Sequence, residues 1–330
     1  MTYSFRNRFR LRDGDRLDAD VHTITLADSE DDGLVTLRPV RRNTEEQDTA
    51  ISEAAELVLR GVGYGDADAA WAAGRKWRQC LTATLAREFM GVDLGPDNRE
   101  TPTIDVVITH EPSTMLQSIG LQAGDRTIGD GYRLLVYRTD PDPTFLTFTM
   151  GPVTLRLSGW LDRFQQRMSE ARERDHQIWD TQKTIAYQLV HQALLDSNPE
   201  TRHIQLVTAI EVLFKEQRRP QPVLDALDKL LSDVAEWSEC DAKTSISEIL
   251  RQDKKESISR TGQEYVSARL RGTYRDMTPA AFFKDVYGIR SRLVHGPSGN
   301  KPRPTNDELN NIWVDVLKFA LDLLDTCETE

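Results

Sequence analysis

The pattern of hydrophobic and polar positions changes character near the middle of the chain. In the first 155 residues, short runs with strand-like alternation are separated by clusters of Asp and Gly. These runs predict strands at 4–11, 17–26, 33–40, 56–60 and 104–108, and a hairpin that joins 132–137 to 144–150. One long helix is expected after Asp66, an N-cap residue type. Its apolar stripe has a helical period and consists of Ala70, Gly74, Trp77, Leu81 and Leu85.

The second part of the chain, from about residue 156, shows the 3.6-residue period of amphipathic helices. Helices are predicted at 157–174, 181–195, 199–216, 222–237 and 278–294, and after Thr305, which forms a capping-box pattern with Glu308. The predicted fold class is therefore α+β overall: an N-terminal mixed α/β domain, residues 1–155, followed by an all-α bundle of five or six helices, residues 156–330.

Charge is unevenly distributed along the chain. The net charge of −11 argues against a general nucleic-acid coat protein. Residues 251–303, however, hold twelve Lys and Arg against five Asp and Glu. This basic segment is either a solvated helix face or a binding surface for an anionic polymer, and composition alone leaves both interpretations open.

Several classes of site and of protein are disfavoured by the residue inventory. Three cysteines lie far apart, and no histidine pair has the spacing of zinc ligands, so neither a disulfide framework nor a metal site is expected. No apolar run is long enough to cross a membrane. The N-terminus lacks the apolar core of a secretory signal, which predicts a cytoplasmic protein.

A glycine cluster, Gly61-Val-Gly63-Tyr-Gly65, follows a predicted strand and precedes the first helix. A dinucleotide-binding fingerprint requires a third glycine at position 66, where this chain has Asp66. A carboxylate there would also repel a pyrophosphate from the helix N-terminus. A turn followed by a capped helix is therefore favoured over nucleotide binding.

A second motif, Tyr287-Gly-Ile-Arg290-Ser291-Arg292-Leu-Val-His295-Gly296, ends a predicted helix inside the basic segment. An arginine fork can hold a phosphate, and an imidazole can transfer protons near neutral pH. Together they suffice for metal-free RNA cleavage by attack of the 2′-hydroxyl. Five positions correspond to about 140° around a helix and about 7.5 Å along it. Arg290 and His295 would thus converge only if the helix unwinds at its end or a second subunit completes the site.

Glu211 projects among apolar neighbours on a predicted helix. A buried carboxylate needs a partner, and Arg290 or Arg292 could supply it. The alternative is a position at the edge of the apolar stripe, where the carboxylate reaches water.

The combination Ala209-Ile-Glu211-Val-Leu-Phe and Arg290-x4-His295-Gly296 resembles the HEPN superfamily, specifically its Apea-like branch. The resemblance covers residues 156–330 and none of the N-terminal domain. It implies a helical domain that dimerises and brings two Arg-x4-6-His motifs together, without a metal or other cofactor. Carried over residue by residue, Arg290, His295 and Glu211 would be catalytic. Ser291, where active members often have Asn, Asp or His, would be supporting, together with Tyr287 and Arg292.

The leading hypothesis is a homodimeric, metal-independent endoribonuclease in a toxin–antitoxin or antiphage role. RNA would be held by Arg269, Arg271, Arg275 and Lys284. The N-terminal domain would sense a trigger or bind a partner such as an antitoxin or a phage protein. Two alternatives remain: a catalytically inactive HEPN module that binds RNA or nucleotide or serves in dimerisation, and a scaffold in which Arg290 and Glu211 form an internal salt bridge.

Overall fold

The structure is a computed structural model, and it describes residues 2–12, 15–29, 31–40, 49–96, 99, 105–111, 117, 121–146, 160–174, 178–215, 217–296 and 302–327. The chain separates into two compact units, Met1–Asp180 and a second that begins at Thr181. A sheet-rich region thus precedes a helical one, as predicted. The predicted boundary at 155/156 and the end of the predicted strand 144–150 lie outside the described residues.

The first unit contains a six-stranded antiparallel sheet. In chain order the elements are β1 (Tyr3–Leu11), β2 (Ile24–Ser29), β3 (Gly33–Pro39), a short 3-10 helix (Ile51–Glu53), β4 (Glu56–Tyr64), α1 (Ala67–Arg87), β5 (Val92–Asp93), β6 (Asp105–Val107), β7 (Arg126–Gly129), β8 (Leu134–Arg138), β9 (Thr144–Leu146) and α2 (Trp160–Arg174). The strands lie in the order β2-β3-β4-β1-β5, and β8 also pairs with β1. Of the predicted strand 17–26, only the end from Ile24 is a strand.

Successive side chains of β1 point to opposite faces of the sheet. Phe5 and Phe9 are fully buried, and the entire predicted stripe of α1 is buried as well. The side chain of Asp66 caps α1 as expected, because its Oδ1 accepts a hydrogen bond of 2.7 Å from the backbone N–H of Ala69. The predicted strand and helix are therefore confirmed here.

The glycine cluster is not a turn, in contrast to the prediction, because β4 continues through it to Tyr64. A Cβ at Gly61 would lie 2.1 Å from the ring of Phe5, so only glycine lets the strand pass over that ring. Gly63 has a φ of +104°, a conformation that glycine adopts without steric cost. Gly61 thus serves the packing of the sheet.

The predicted hairpin between 132–137 and 144–150 is wrong. Strand β8 pairs with β1, and β9 pairs in parallel with β7 in a separate three-stranded sheet. The β8 residues Leu134, Leu135 and Tyr137 are buried, so pairing with β1 both covers the edge of that strand and buries apolar surface. Alternation identified the strand but carried no information about its partner.

Helix α2 packs against α1 within the first unit. Its side chains Phe164, Met168 and Ala171 are buried at a helical spacing. The first compact unit therefore includes this helix and ends at Asp180, because α2 finds its apolar partner in α1.

A buried ion pair lies on the face of β1 opposite Phe5. The guanidinium of Arg6 makes two hydrogen bonds, of 3.0 and 2.6 Å, with the carboxylate of Asp130. The Arg6 guanidinium also lies 4.0 Å above the ring of Phe145. Both charged side chains are almost fully buried, so each depends on the other to offset desolvation.

The second unit is helical. Its elements are α3 (Thr181–Leu195), α4 (Pro199–Glu211), α5 (Gln221–Ala235), α6 (Asp241–Gln252), α7 (Ile258–Arg269), α8 (Pro279–His295) and α9 (Asn306–Asp325). The predicted starts at Pro199, Thr278-Pro279 and Thr305 are confirmed, including the reciprocal capping box of Thr305 and Glu308. Helices α6 and α7 were not predicted. The helical part of the chain therefore contains more helices than the five or six that were predicted.

Helix α8 packs against α4 and α7. Its buried residues Phe283 and Val286 follow a helical stripe, and a Cβ at Gly262 of α7 would lie 2.2 Å from the Phe283 ring. The buried imidazole of His203 on α4 approaches the carbonyl oxygen of Val286, with Nε2 at 3.0 Å. Within the described part of the chain, no helix is long and apolar enough to cross a membrane.

Candidate active site on helices α4 and α8

The packing of α8 against α4 brings two of the predicted site residues together. Glu211 is the last residue of α4, and Arg290 lies in the second half of α8. The Nε of Arg290 is 3.5 Å from the Oε1 of Glu211. Their side chains are 22% and 15% exposed, so the pair is largely withdrawn from water and still reaches the surface.

The electrostatics of this pair are not balanced. Burial raises the pKa of Glu211, and the neighbouring positive charge of Arg290 offsets that rise only in part. The two atoms that approach each other are buried, and neither has a hydrogen-bond partner among the described residues.

Tyr287 belongs to the same group of side chains. It precedes Arg290 by three positions, which places it on the same side of α8. Burial raises the pKa of its hydroxyl, the Glu211 charge raises it further, and Arg290 lowers it. The structure thus joins Glu211, Tyr287 and Arg290 in one partly buried cluster.

His295 does not join this cluster within one chain. It is the last residue of α8 and is exposed. Gly296, with a φ of +88°, ends the helix, and its N–H donates to the carbonyl oxygen of Arg292 at 3.1 Å. Because α8 stays helical through His295, the imidazole and the Arg290 side chain leave the helix about 140° apart.

Arg292, predicted as a supporting residue, lies on another side of α8. Two positions separate it from Arg290, or about 200° around the helix. It lines a cavity beside α9 instead of approaching Glu211. Ser291, which lies between Arg290 and Arg292 in the sequence, is half-buried.

Three of the four predicted RNA-binding side chains have local contacts. The guanidinium of Arg269 lies 3.7 Å above the Tyr265 ring. The Nη1 of Arg271 donates to the carbonyl oxygen of Ser267 at 2.9 Å and so caps the end of α7. Arg275 pairs with α9, and Lys284 is exposed on α8. All four side chains are exposed. Their binding of RNA stays a prediction.

The sequence did not indicate two further features of this unit. One is the buried His203 behind α8, whose pKa is lowered chiefly by burial. The other is the cavity beside α9, about 380 Å³ in volume. Both arise from the packing of separate helices, for which the sequence offers no local pattern.

Within the described ranges, no group of three or more His, Cys, Asp or Glu side chains could hold a metal ion. Comparisons with protein-family models, curated proteins and solved structures gave no match to this chain. The arrangement of Glu211, Tyr287 and Arg290, with His295 exposed one turn beyond, is therefore the basis for any functional proposal.

Proposed function

We propose that this protein is a HEPN-type endoribonuclease that cleaves RNA without a metal, at a composite site between two copies of the chain. The observation that carries the proposal is the partly buried Glu211–Arg290 pair, because these two residues are the acid and the arginine that the sequence resemblance implies as catalytic. The exposed His295 at the end of the same helix supplies the proton-transfer group.

The chemistry assigned to these residues is cleavage by the neighbouring hydroxyl. The RNA 2′-oxygen attacks the adjacent phosphorus, a base removes the 2′-proton, and the bond from phosphorus to the 5′-oxygen breaks as that oxygen gains a proton. The products carry a 2′,3′-cyclic phosphate and a free 5′-hydroxyl. His295 would transfer protons, and Arg290 would stabilise the additional negative charge on the phosphate oxygens. Glu211 would orient Arg290.

The dimer is part of the proposal, because Arg290 and His295 leave one helix in different directions. A second copy that packs its α8 against the first could place one chain's imidazole beside the other chain's guanidinium. The first unit would then sense a trigger or bind a protein partner, as in an antitoxin or antiphage system.

The direct test is cleavage of total cellular RNA and tRNA by the purified full chain in EDTA. Wild-type protein should release fragments ending in 2′,3′-cyclic phosphate, and His295→Ala and Arg290→Ala should not. His22→Ala, which removes an exposed histidine of the first unit, is the matched control and should cleave normally. Cleavage that persists in His295→Ala would contradict the assignment.

A mixing experiment tests the composite site. Arg290→Ala and His295→Ala, each inactive alone, should form mixed dimers in which one of the two sites has both groups intact. Random exchange makes half of the dimers mixed, so about a quarter of wild-type activity should return. No recovery from a mixture in which exchange has been demonstrated would show that both groups act from the same chain.

The second candidate is a catalytically silent module that binds RNA or nucleotide, and the separation of His295 from Arg290 in one chain favours it. Under that function no preparation cleaves RNA, even with lysate from infected cells added as a source of trigger. Arg290→Ala would then weaken RNA binding in a filter-retention assay, whereas His295→Ala would leave it unchanged.

A further inference from the structure

The cavity beside α8 lies on a different side of that helix from Glu211. It is about 380 Å³ in volume, within the range of small-molecule sites. On α8 its lining runs from Phe282 to Arg292, ten residues or about 15 Å along the helix. Ile289, Leu309 and Ile312 contribute apolar surface. The space therefore suits a ligand with an apolar body.

Arg292 brings a positive charge to the end of this cavity near the start of α9. Its Nε is buried and has no hydrogen-bond partner among the described residues. The side chain turns back along α8, and a Cβ at Gly288 would lie 3.8 Å from Nη1. Arg292 as a whole is half-buried, so its guanidinium is suited to an anionic ligand that enters the cavity and accepts from its donors.

Arg275 brings a second positive charge to the other end. It lies in a two-residue turn, and both Arg275 and Asp276 have positive φ, +49° and +61°. Backbone hydrogen bonds between Tyr274 and Met277 close the turn. Two consecutive non-glycine residues in this region cost strain energy, and such strain is concentrated at functional sites. The turn holds Arg275 over the cavity, 3.8 Å from Asp315.

Two carboxylates also line the cavity, and they do not compete equally for these arginines. Glu308 is engaged in the capping box, where its Oε2 accepts from the N–H of Thr305 at 2.8 Å. Asp285 is exposed near the opposite end. Neither forms a described ion pair with Arg292, which leaves that guanidinium available to a ligand.

We propose that this cavity binds a small amphipathic organic anion, whose phosphate, sulfonate or carboxylate group is held by Arg292 while its apolar body packs between α8 and α9 in the direction of Arg275. This cavity lies on another side of α8 from the Glu211–Arg290 pair. Binding there does not depend on whether the protein cleaves RNA.

The test uses fluorescence titration of the full chain with 8-anilinonaphthalene-1-sulfonate, and with the uncharged N-phenyl-1-naphthylamine as its matched probe. One sulfonate should bind per chain, and Arg292→Gln should weaken that binding about tenfold or more, as expected for a lost charged hydrogen bond. Lys318→Gln removes an exposed positive charge from α9 outside the cavity and should have no effect.

A second variant covers the case in which Arg292→Gln is misfolded. Ile312→Trp keeps both arginines but fills the cavity, and it should abolish the same binding while far-UV circular dichroism stays unchanged. Displacement of the sulfonate by AMP would assign a phosphate ligand, and displacement by octanoate would assign a carboxylate. The proposal is overturned if Arg292→Gln binds normally, if the uncharged probe binds as tightly as the sulfonate, or if neither competitor displaces it.

Discussion

Glu211→Gln separates a structural role of the Glu211–Arg290 pair from a chemical one. Because burial raises the pKa of Glu211 despite Arg290, the ionised carboxylate is less favourable in the folded protein than in the unfolded chain. Glutamine retains the shape and removes the charge. We therefore expect Glu211→Gln to leave the free energy of unfolding at pH 7 unchanged, or to raise it by up to about 1 kcal/mol.

Arg290→Ala should lower the free energy of unfolding, because it leaves the Glu211 carboxylate without a positive neighbour. Breaking a fully buried pair costs about 3–5 kcal/mol. This pair is partly exposed and its closest atoms are 3.5 Å apart, so a loss of about 1–3 kcal/mol is expected. In the Glu211→Gln background the same substitution should cost less than about 1 kcal/mol, since no stranded charge remains.

The assay is urea denaturation followed by far-UV circular dichroism, for both single variants and the double variant. The ordinary pKa of this carboxyl is 4.5. Because its pKa is raised in the folded protein, the carboxyl favours folding below pH 4.5, and that contribution is lost as the pH rises. Any advantage of Glu211→Gln should therefore grow above pH 4.5. Glu200→Gln, at the exposed pair with Arg303, is the control and should cause no measurable change. A loss of 3 kcal/mol or more in Glu211→Gln would refute this reasoning and identify a structural ion pair.

Three further predictions concern packing and buried charge. Burial lowers the pKa of His203 below its ordinary value of 6.5. The stability that the neutral imidazole contributes should therefore be complete above pH 6.5 and decline below it. His203→Gln should flatten this decline in thermal melts. Asp130→Ala should cost about 3–5 kcal/mol in urea denaturation by stranding Arg6, with Asp130→Asn less damaging. Gly262→Ala should cost about 1–3 kcal/mol through overlap with Phe283, and Phe283→Leu in that background should recover part of the loss.

Element ends with a local chemical signal were predictable from the sequence. Asp66, Pro199 and Thr305 begin helices as expected, because a cap or a helix-starting proline acts on backbone groups within one turn of itself. Helix α6 was missed although its apolar residues Ile246, Ile249 and Leu250 recur at helical spacing, so its sequence did carry the pattern of an amphipathic helix. None of its residues is buried in the second unit.

Pairing between distant elements was not predictable in the same way. Strand β8 lies against β1, more than a hundred residues earlier, and the alternation of β8 fits any partner with a free edge. The burial of the Arg6–Asp130 pair depends on that arrangement. Likewise, the sequence allowed Glu211 to approach Arg290, to approach Arg292 or to reach water. The packing of α4 on α8 brings it to Arg290.

The motif around Arg290 shows why spacing alone does not define a site. Arg290 and Arg292 are nearly adjacent in sequence, yet about 200° of helix separates them, and one faces Glu211 while the other lines the cavity. His295 follows Arg292 by three positions and therefore lies on the Arg292 side of α8. One rigid chain cannot direct Arg290 and His295 at the same phosphate while α8 remains helical. The dimer is thus a condition of the proposed cleavage, and RNA cleavage by a strictly monomeric protein would contradict the proposal even if both residues proved essential.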